Sequence, residues 1–233
     1  MTEAEWLACT DPNELLDAVK TRASSRELRL FAVACCYRIW DRLNESTRSL
    51  LLLAERYCNG TGVSKSELKS QRRLLPEREL TSGSVERYFL RAVRAAAFVH
   101  LTEPHGSYPL LQAQEAAHSV ALALLPDEFR YRNAVDYWPR AEWRDERASQ
   151  TALVRDIFGN PFRPVAFAPA WRTDTVKSLA AQMYESRDFS AMPILADALQ
   201  DAGCDSTDIL AHCRSNGPHV RGCWVVDLVL GRE

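Results

Sequence analysis

Apolar side chains recur every three or four positions through most of the chain, which is the spacing of a buried α-helical face. After Ser24 this spacing places the apolar residues on one side of a helical projection and most arginines elsewhere. The apolar positions of that stretch are Leu28, Phe31, Ala32, Cys35, Ile39 and Leu43. The pattern therefore predicts helices for most of the chain.

Residues that favour caps and turns mark the expected helix ends. Asp11 and Pro12 combine an N-cap candidate with proline at the first helical position, and Gly159 is suited to close a long helix that begins near Ala141. Residues 223–230 have helical spacing but are rich in β-branched side chains, so we expect a closing helix, with a short strand as the alternative. The predicted fold is all-α, an irregular bundle of about ten helices.

A single helical domain over residues 1–233 is expected, because this length supports a sizeable core without disulfides or metal. The best candidate for a sub-boundary is segment 76–83, which contains Pro76 and the run Thr81-Ser82-Gly83. It would separate helices in residues 1–75 from a helical part in residues 84–233.

Charge and hydropathy indicate which partners and which cellular compartment to expect. The formal net charge of -2 gives the whole chain no electrostatic attraction to nucleic acid or anionic lipid. The N-terminus is acidic where a signal peptide would be basic, and no uninterrupted apolar run approaches the roughly 20 residues of a membrane helix. We therefore expect a cytoplasmic protein that does not enter a membrane.

The cysteines are expected to be reduced. They number seven, an odd count, and include the neighbours Cys35 and Cys36, whose short loop would strain a mutual disulfide. Both lie in a predicted apolar helix, where burial raises the pKa of a thiol and suppresses the nucleophilic thiolate. Core packing is therefore the favoured role for this pair.

A cluster of thiols and imidazoles near the C-terminus suggests a zinc site, because these groups are common zinc ligands. The candidate ligands are Cys204, His212, Cys213, His219 and Cys223. Against this hypothesis, the cluster contains no CxxC pair, and His212 and Cys213 would diverge by about 100° on a helix. Cys204 and Cys223 would also serve as small buried apolar residues. Zinc is the cofactor that the sequence suggests, and both the zinc site and the core-packing interpretation stay open.

Three arginines form a stripe at helical spacing that suggests a phosphate-binding face. They are Arg87, Arg91 and Arg94. Arginine stems also shield apolar surface on ordinary exposed helices, and the neighbouring Glu86 weakens a phosphate site. A solvated helix face is therefore the favoured interpretation, and nucleic-acid binding is the alternative.

Four segments of the chain carry a family resemblance. They read MTEAEWLACTDP at 1–12, RLFAVACC at 29–36, RDIFGNPFRP at 155–164 and HVRGCWVVD at 219–227. They resemble a family of planctomycete proteins built around the "repeat-companion" N-terminal domain. Some members of the family carry this domain beside leucine-rich repeats or other modules. The resemblance implies an accessory or interaction role and carries no catalytic residues with it.

The leading functional hypothesis is a non-enzymatic interaction or adaptor module that binds a protein partner in a bacterial multi-component system. The reasons are the dominance of helices and the lack of any recognisable catalytic constellation in the sequence. One alternative is a zinc-stabilised or zinc-dependent protein that uses the C-terminal cysteines and histidines. Another is a nucleic-acid-associated accessory factor that uses the arginine stripe.

The periodicity makes a direct spectroscopic prediction. The far-ultraviolet circular dichroism spectrum of the full chain should show the double minimum of α-helix, because helical spacing covers most of the sequence. A spectrum with the single minimum of β-sheet would contradict the helical interpretation.

Overall fold

The computed structural model describes residues 1–75, 84–98, 107–129 and 138–232. The chain divides into two compact units. The N-terminal unit comprises residues 7–154, and the C-terminal unit comprises residues 1–6 together with residues 155–233. Segment 76–83, where we expected a sub-boundary, lies outside the described residues, and the chain on both sides of it belongs to the N-terminal unit.

The protein is all-α, as predicted, and no strand occurs within the described ranges. The part of the chain that the structure describes contains twelve α-helices: α1 Glu3–Ala8, α2 Pro12–Val19, α3 Ser25–Tyr37, α4 Glu45–Cys58, α5 Lys65–Leu74, α6 Val85–Ala96, α7 Ser107–Leu124, α8 Ala141–Phe158, α9 Asp174–Ser186, α10 Met192–Asp201, α11 Thr207–Cys213 and α12 Trp224–Leu230. Helix α12 decides the helix-or-strand alternative for the C-terminal segment in favour of a helix. No helix among the described residues is long and apolar enough to cross a membrane.

Helix starts follow the capping residues in the sequence. The Asp11 side chain accepts a hydrogen bond from the Asn13 amide, and Pro12 occupies the first turn of α2. Ser24 and Glu27 form a reciprocal capping box at the start of α3. These side chains satisfy amides that would otherwise lack partners, which is why local sequence was sufficient to place these ends.

Helix α3 ends earlier than the apolar stripe suggested. It stops at Tyr37 and is followed by a 3-10 turn over Trp40–Arg42. Ile39 and Leu43 nevertheless remain buried, with 1% and 4% of their surfaces exposed. The stripe therefore predicted burial correctly but not the helical geometry, because a tighter turn can bury the same two side chains.

Helices α6 and α7 pack against each other in the N-terminal unit, and both contain fully buried alanines. These are Ala92 and Ala96 on α6 and Ala116, Ala117, Ala121 and Ala123 on α7. Alanine allows two helix backbones to approach closely while excluding water between them. The same two helices also pack against α3, which lies at the centre of this unit.

A buried polar network joins α8 to α3 and α7 within the N-terminal unit. The Arg38 guanidinium pairs with the Glu146 carboxylate at 2.8 Å. Gln150 donates to Glu146 at 2.8 Å and to the Ala117 carbonyl at 2.9 Å, while Arg147 donates to the Gln150 side-chain oxygen at 3.1 Å. These partners compensate for removing the polar groups from water.

The C-terminal unit has its own apolar core, built by α9, α10, α11 and α12. Core side chains include Val176, Met183, Leu195, Leu199, Ile209, Val225, Val226 and Val229. The first residues of the chain also belong to this unit. Arg155 donates to the Trp6 carbonyl at 2.7 Å, and Asn160 donates to the Glu3 carboxylate at 2.8 Å. These contacts anchor the N-terminal residues beside the last turn of α8.

Burial of Glu146 predicts an unusual dependence of stability on pH. Burial raises the pKa of this carboxyl above its ordinary value of 4.5 and outweighs the opposing influence of Arg38. A raised pKa means that the folded chain holds this proton more tightly than the unfolded chain. As pH rises from about 4.5 through the folded pKa, the wild type should therefore lose stability relative to Glu146→Gln. Urea unfolding of both proteins across this range measures the difference.

Glu142→Gln is the matched control on the same helix. Hydrogen bonds, including one with Arg140, lower the pKa of the exposed Glu142. The wild type should therefore lose stability relative to this control variant as pH falls, which is the opposite direction. If the difference in unfolding free energy between the wild type and Glu146→Gln stays constant with pH, the burial argument is contradicted.

Candidate metal centre

Four side chains converge in the C-terminal unit to form a group suited to a metal ion. They are Asp156, His212, His219 and Cys223, and their ligand atoms all lie within 4.8 Å of one another. Asp156 lies in the last turn of α8 and His212 in the last turn of α11. His219 lies in the loop after α11, and Cys223 directly precedes α12.

Each imidazole turns one nitrogen toward both the carboxylate and the thiol. Nε2 of His212 lies 3.2 Å from Oδ1 of Asp156 and 3.2 Å from Sγ of Cys223. Nδ1 of His219 lies 2.9 Å from the same Asp156 oxygen and 4.0 Å from the same sulfur. One oxygen, two nitrogens and one sulfur therefore face a common centre.

These separations match the edges of a tetrahedral zinc site. Zinc ligands at about 2.0–2.3 Å from the ion, placed at tetrahedral corners, lie about 3.3–3.6 Å from one another. The four observed distances, from 2.9 to 4.0 Å, lie on both sides of that range. These four of the six ligand–ligand distances are within a few tenths of an ångström of an ideal edge, and all six lie within 4.8 Å, so the group has the size of a four-coordinate site.

The loop backbone and a tryptophan orient two of the ligands. The Val220 amide donates to Oδ2 of Asp156 at 3.0 Å, which leaves Oδ1 directed at the centre. The Trp224 ring lies 5.1 Å from the His212 ring. Gly159, with φ at +63°, lies under the same tryptophan, because a Cβ on that glycine would meet the ring at 3.3 Å. Both the backbone conformation and the close ring therefore favour a glycine there.

The outer nitrogen of His219 departs from the usual surroundings of a metal-bound imidazole. Nε2 of this residue is buried and has no hydrogen-bond partner among the described residues. Histidine ligands usually donate this second N–H to a carboxylate or carbonyl, which fixes the ring orientation. At His219 the ring is held by packing against His212, with the two ring centres 4.9 Å apart.

Burial controls the chemistry of the thiols in this unit. Burial, followed by the charge of Asp156, raises the pKa of the Cys223 thiol well above its ordinary value. A bound cation has the opposite effect, because a metal stabilises the thiolate as its ligand. Burial also raises the pKa of Cys213 to about 12. At Cys213 this influence of burial outweighs the opposing charge of the neighbouring Arg214.

The structure brings together three of the five zinc ligands proposed from the sequence. His212, His219 and Cys223 belong to the group, whereas Cys204 and Cys213 lie outside it. Those two cysteines are buried in the apolar core, with 3% and 0% of their surfaces exposed. His212 and Cys213 are neighbours on α11. Because neighbouring helical residues point in different directions, only His212 reaches the centre.

Sequence reasoning missed Asp156, which lies far from the histidines along the chain. One signal was available, because Asp156 occupies the last turn of a helix, where the macrodipole disfavours negative charge. Only 2% of its side chain is exposed. An acidic residue at that position inside an apolar segment suggests a partner that the helix itself cannot supply.

The arginine stripe is largely engaged within the N-terminal unit. Arg91 pairs with Glu115 at 2.7 Å, and Arg94 donates to the Leu75 carbonyl at 3.1 Å. Arg72 in turn donates to the Arg94 carbonyl at 3.0 Å. These contacts favour a packing role for the stripe, and binding of nucleic acid by Arg87, Arg91 and Arg94 stays a prediction.

Comparison of the chain with protein-family models, curated proteins and solved structures finds no match in any of the three. The resemblance to the repeat-companion proteins therefore stays a prediction. The candidate metal centre rests on the geometry of this chain alone.

The geometry predicts that the purified chain binds zinc at one site, and that Asp156→Asn weakens binding strongly. The asparagine oxygen can still accept from the Val220 amide, but the side chain brings no negative charge to the ion. We expect a loss greater than the about 10–100-fold that follows removal of an outer-sphere partner. Competition against a chromophoric chelator measures the affinity, and elemental analysis gives the stoichiometry.

The control for this variant is Asp145→Asn, which neutralises an exposed aspartate on the same helix. It should bind zinc like the wild type. Equal zinc affinity of the Asp156→Asn and Asp145→Asn variants would show that Asp156 is not a ligand.

Proposed function

We propose that this chain is a zinc-stabilised helical protein whose metal centre is structural rather than catalytic. The observation that carries the proposal is the convergence of Asp156, His212, His219 and Cys223 on one point. The two histidines each direct a single nitrogen at that point. Such an arrangement supports a single coordination site that uses all four donor atoms.

Ligand chemistry favours zinc over harder cations. A thiolate and two imidazoles suit zinc and its transition-metal neighbours, whereas magnesium and calcium take oxygen ligands almost exclusively. Zinc also accepts a carboxylate in a tetrahedral site. Among divalent metals, the mixed sulfur, nitrogen and oxygen set therefore fits zinc well.

A structural role follows from the number of protein ligands and their burial. Catalytic zinc sites usually have three protein ligands and an open position for water or substrate. Here four protein ligands are available, and Cys223 is fully buried. A closed coordination shell would leave no position for a substrate, so the ion would connect α8, α11 and the start of α12.

The same contacts argue against a cysteine protease-like triad. In such a triad the histidine contacts the nucleophile through one ring nitrogen and the orienting carboxylate through the other. In this chain Nε2 of His212 faces both Cys223 and Asp156, and Nδ1 of His219 does the same. Neither histidine can relay a proton between carboxylate and thiol in this orientation.

The proposal keeps the binding role expected from the sequence. A metal that stabilises a small helical unit provides a fixed surface for a partner without taking part in chemistry. In this proposal the chain acts by binding another protein, and zinc maintains the fold that presents the surface.

Thermal unfolding tests the structural role. Zinc at about 100 times its dissociation constant should stabilise the folded chain by about 2.7 kcal/mol, and a chelator should remove this increment. Cys223→Ser should abolish the zinc-dependent increment, because a hydroxyl is a poor zinc ligand. Calorimetry of the full chain with zinc and with chelator measures both effects.

Cys213→Ser provides the matched control. It replaces a second fully buried thiol in the same apolar core, so it carries a similar cost of burying a hydroxyl. Its zinc-dependent increment should equal that of the wild type. If zinc fails to stabilise the wild type, or stabilises the Cys223 variant equally, the structural zinc centre is refuted.

A further inference from the structure

The loop that carries two of the four proposed ligands is held in place by contacts that do not involve the metal. His219 and Cys223 flank Arg221 in the turn before α12. The Cys223 amide donates to the Val220 carbonyl at 2.9 Å, and Gly222 has φ at +97°. The turn therefore has a defined backbone conformation of its own.

Arg221 connects this turn to the C-terminal end of α9. Its guanidinium donates to the carbonyl of Tyr184 and, at 2.8 Å, to the carbonyl of Glu185. It also lies over the Tyr184 ring, 5.6 Å from the ring centre. The last carbonyls of a helix lack partners within the helix and carry partial negative charge, so a guanidinium is a favourable partner.

Fixing the turn in advance lowers the entropic cost of binding an ion. Ordering the backbone of a flexible loop costs conformational entropy, and a metal that had to order the turn would lose that free energy from its affinity. Arg221 holds the turn through backbone carbonyls of another helix, without contacting the ion. The Val220 amide, which lies next to it, meets Asp156 at the same time.

We infer that Arg221 is a positioning residue of the proposed metal centre, which sets zinc affinity by holding the turn between His219 and Cys223 against the end of α9. The inference rests on the proposed zinc centre and adds a residue that does not touch the ion. In the turn, His219 and Cys223 would bind the metal, and Arg221 would orient them.

The chain contains a matched control for this arginine. Arg172 donates from Nε and from an NH2 group to the Leu228 carbonyl in α12, at 3.2 and 2.8 Å. It therefore performs the same kind of carbonyl capping in the same unit, against another helix. No proposed ligand lies beside Arg172 in the sequence, so its loss should affect stability without affecting the ligand turn.

The experiment compares Arg221→Gln, Arg221→Lys and Arg172→Gln in the full chain. Zinc affinity is measured by chelator competition below the unfolding temperature, and cobalt is used as a spectroscopic probe of coordination. We expect Arg221→Gln to bind zinc about 10–100-fold more weakly, as for other residues that orient ligands. Arg172→Gln should bind zinc like the wild type, although both variants lose stability. The zinc affinity of Arg221→Lys should lie between those of the wild type and Arg221→Gln, because an ammonium keeps the charge but not the planar pair of donors.

Cobalt spectra give a readout that general destabilisation does not change. The wild type and Arg172→Gln should show the intense visible bands of tetrahedral cobalt, and Arg221→Gln should reach the same spectrum only at higher cobalt concentration. Equal zinc affinity for Arg221→Gln and Arg172→Gln would overturn the inference while leaving the zinc centre intact. If Arg221→Gln does not fold, the zinc affinity of Arg221→Lys is compared with that of Arg172→Gln. Weaker binding by Arg221→Lys would support the inference, and equal affinity would overturn it. A wild type that binds neither metal would refute the zinc centre itself, and the inference with it.

Discussion

A carboxylate inside an apolar core must be compensated, and the C-terminal unit is arranged around this constraint at Asp156. Only 2% of this side chain is exposed. An unpaired charge in such surroundings costs several kcal/mol, and the end of α8 provides no favourable dipole for it. The compensation comes from other parts of the chain. One oxygen accepts from the Val220 amide, and the other faces two imidazoles.

The N-terminal unit meets the same constraint in a different way. Glu146 is also buried, but Arg38, a neighbour with a permanent positive charge, pairs with it, and Gln150 donates to it. Protein groups alone therefore compensate the buried Glu146 carboxylate. At Asp156 the nearest partners are two imidazoles and a thiol, which carry no permanent positive charge. A cation at their common centre would complete the compensation, which is the physical basis of the proposed zinc site.

The buried cysteines of the C-terminal unit differ in the groups that they face. Cys204, Cys213 and Cys223 all belong to the apolar cluster of the C-terminal unit. A thiol is small and weakly polar, so each one packs well among aliphatic side chains. Only Cys223 also faces imidazole and carboxylate groups. Burial alone therefore does not identify a ligand, and the direction of the side chain decides its role.

Much of the fold could be predicted from local sequence, because helix formation and capping depend on residues within a few positions of each other. Apolar spacing indicated the all-α fold, Asp11 and Ser24 marked helix starts, and Gly159 marked the end of α8. The apolar pattern did not predict that α3 ends at Tyr37, and the reason is clear. Burial of Ile39 and Leu43 is compatible with a tighter turn as well as with an α-helix, so the apolar pattern could not distinguish them.

The candidate site was only partly predictable. His212, His219 and Cys223 lie close together in the sequence, which is why a metal cluster could be proposed there. Asp156 precedes them by a long stretch of chain, and Arg221 acts through backbone carbonyls that no sequence pattern identifies. Sequence by itself determined the helices and the chemistry available near the C-terminus. The tertiary structure alone decided which side chains meet, because that depends on how α8, α9 and α11 pack around the turn at Cys223.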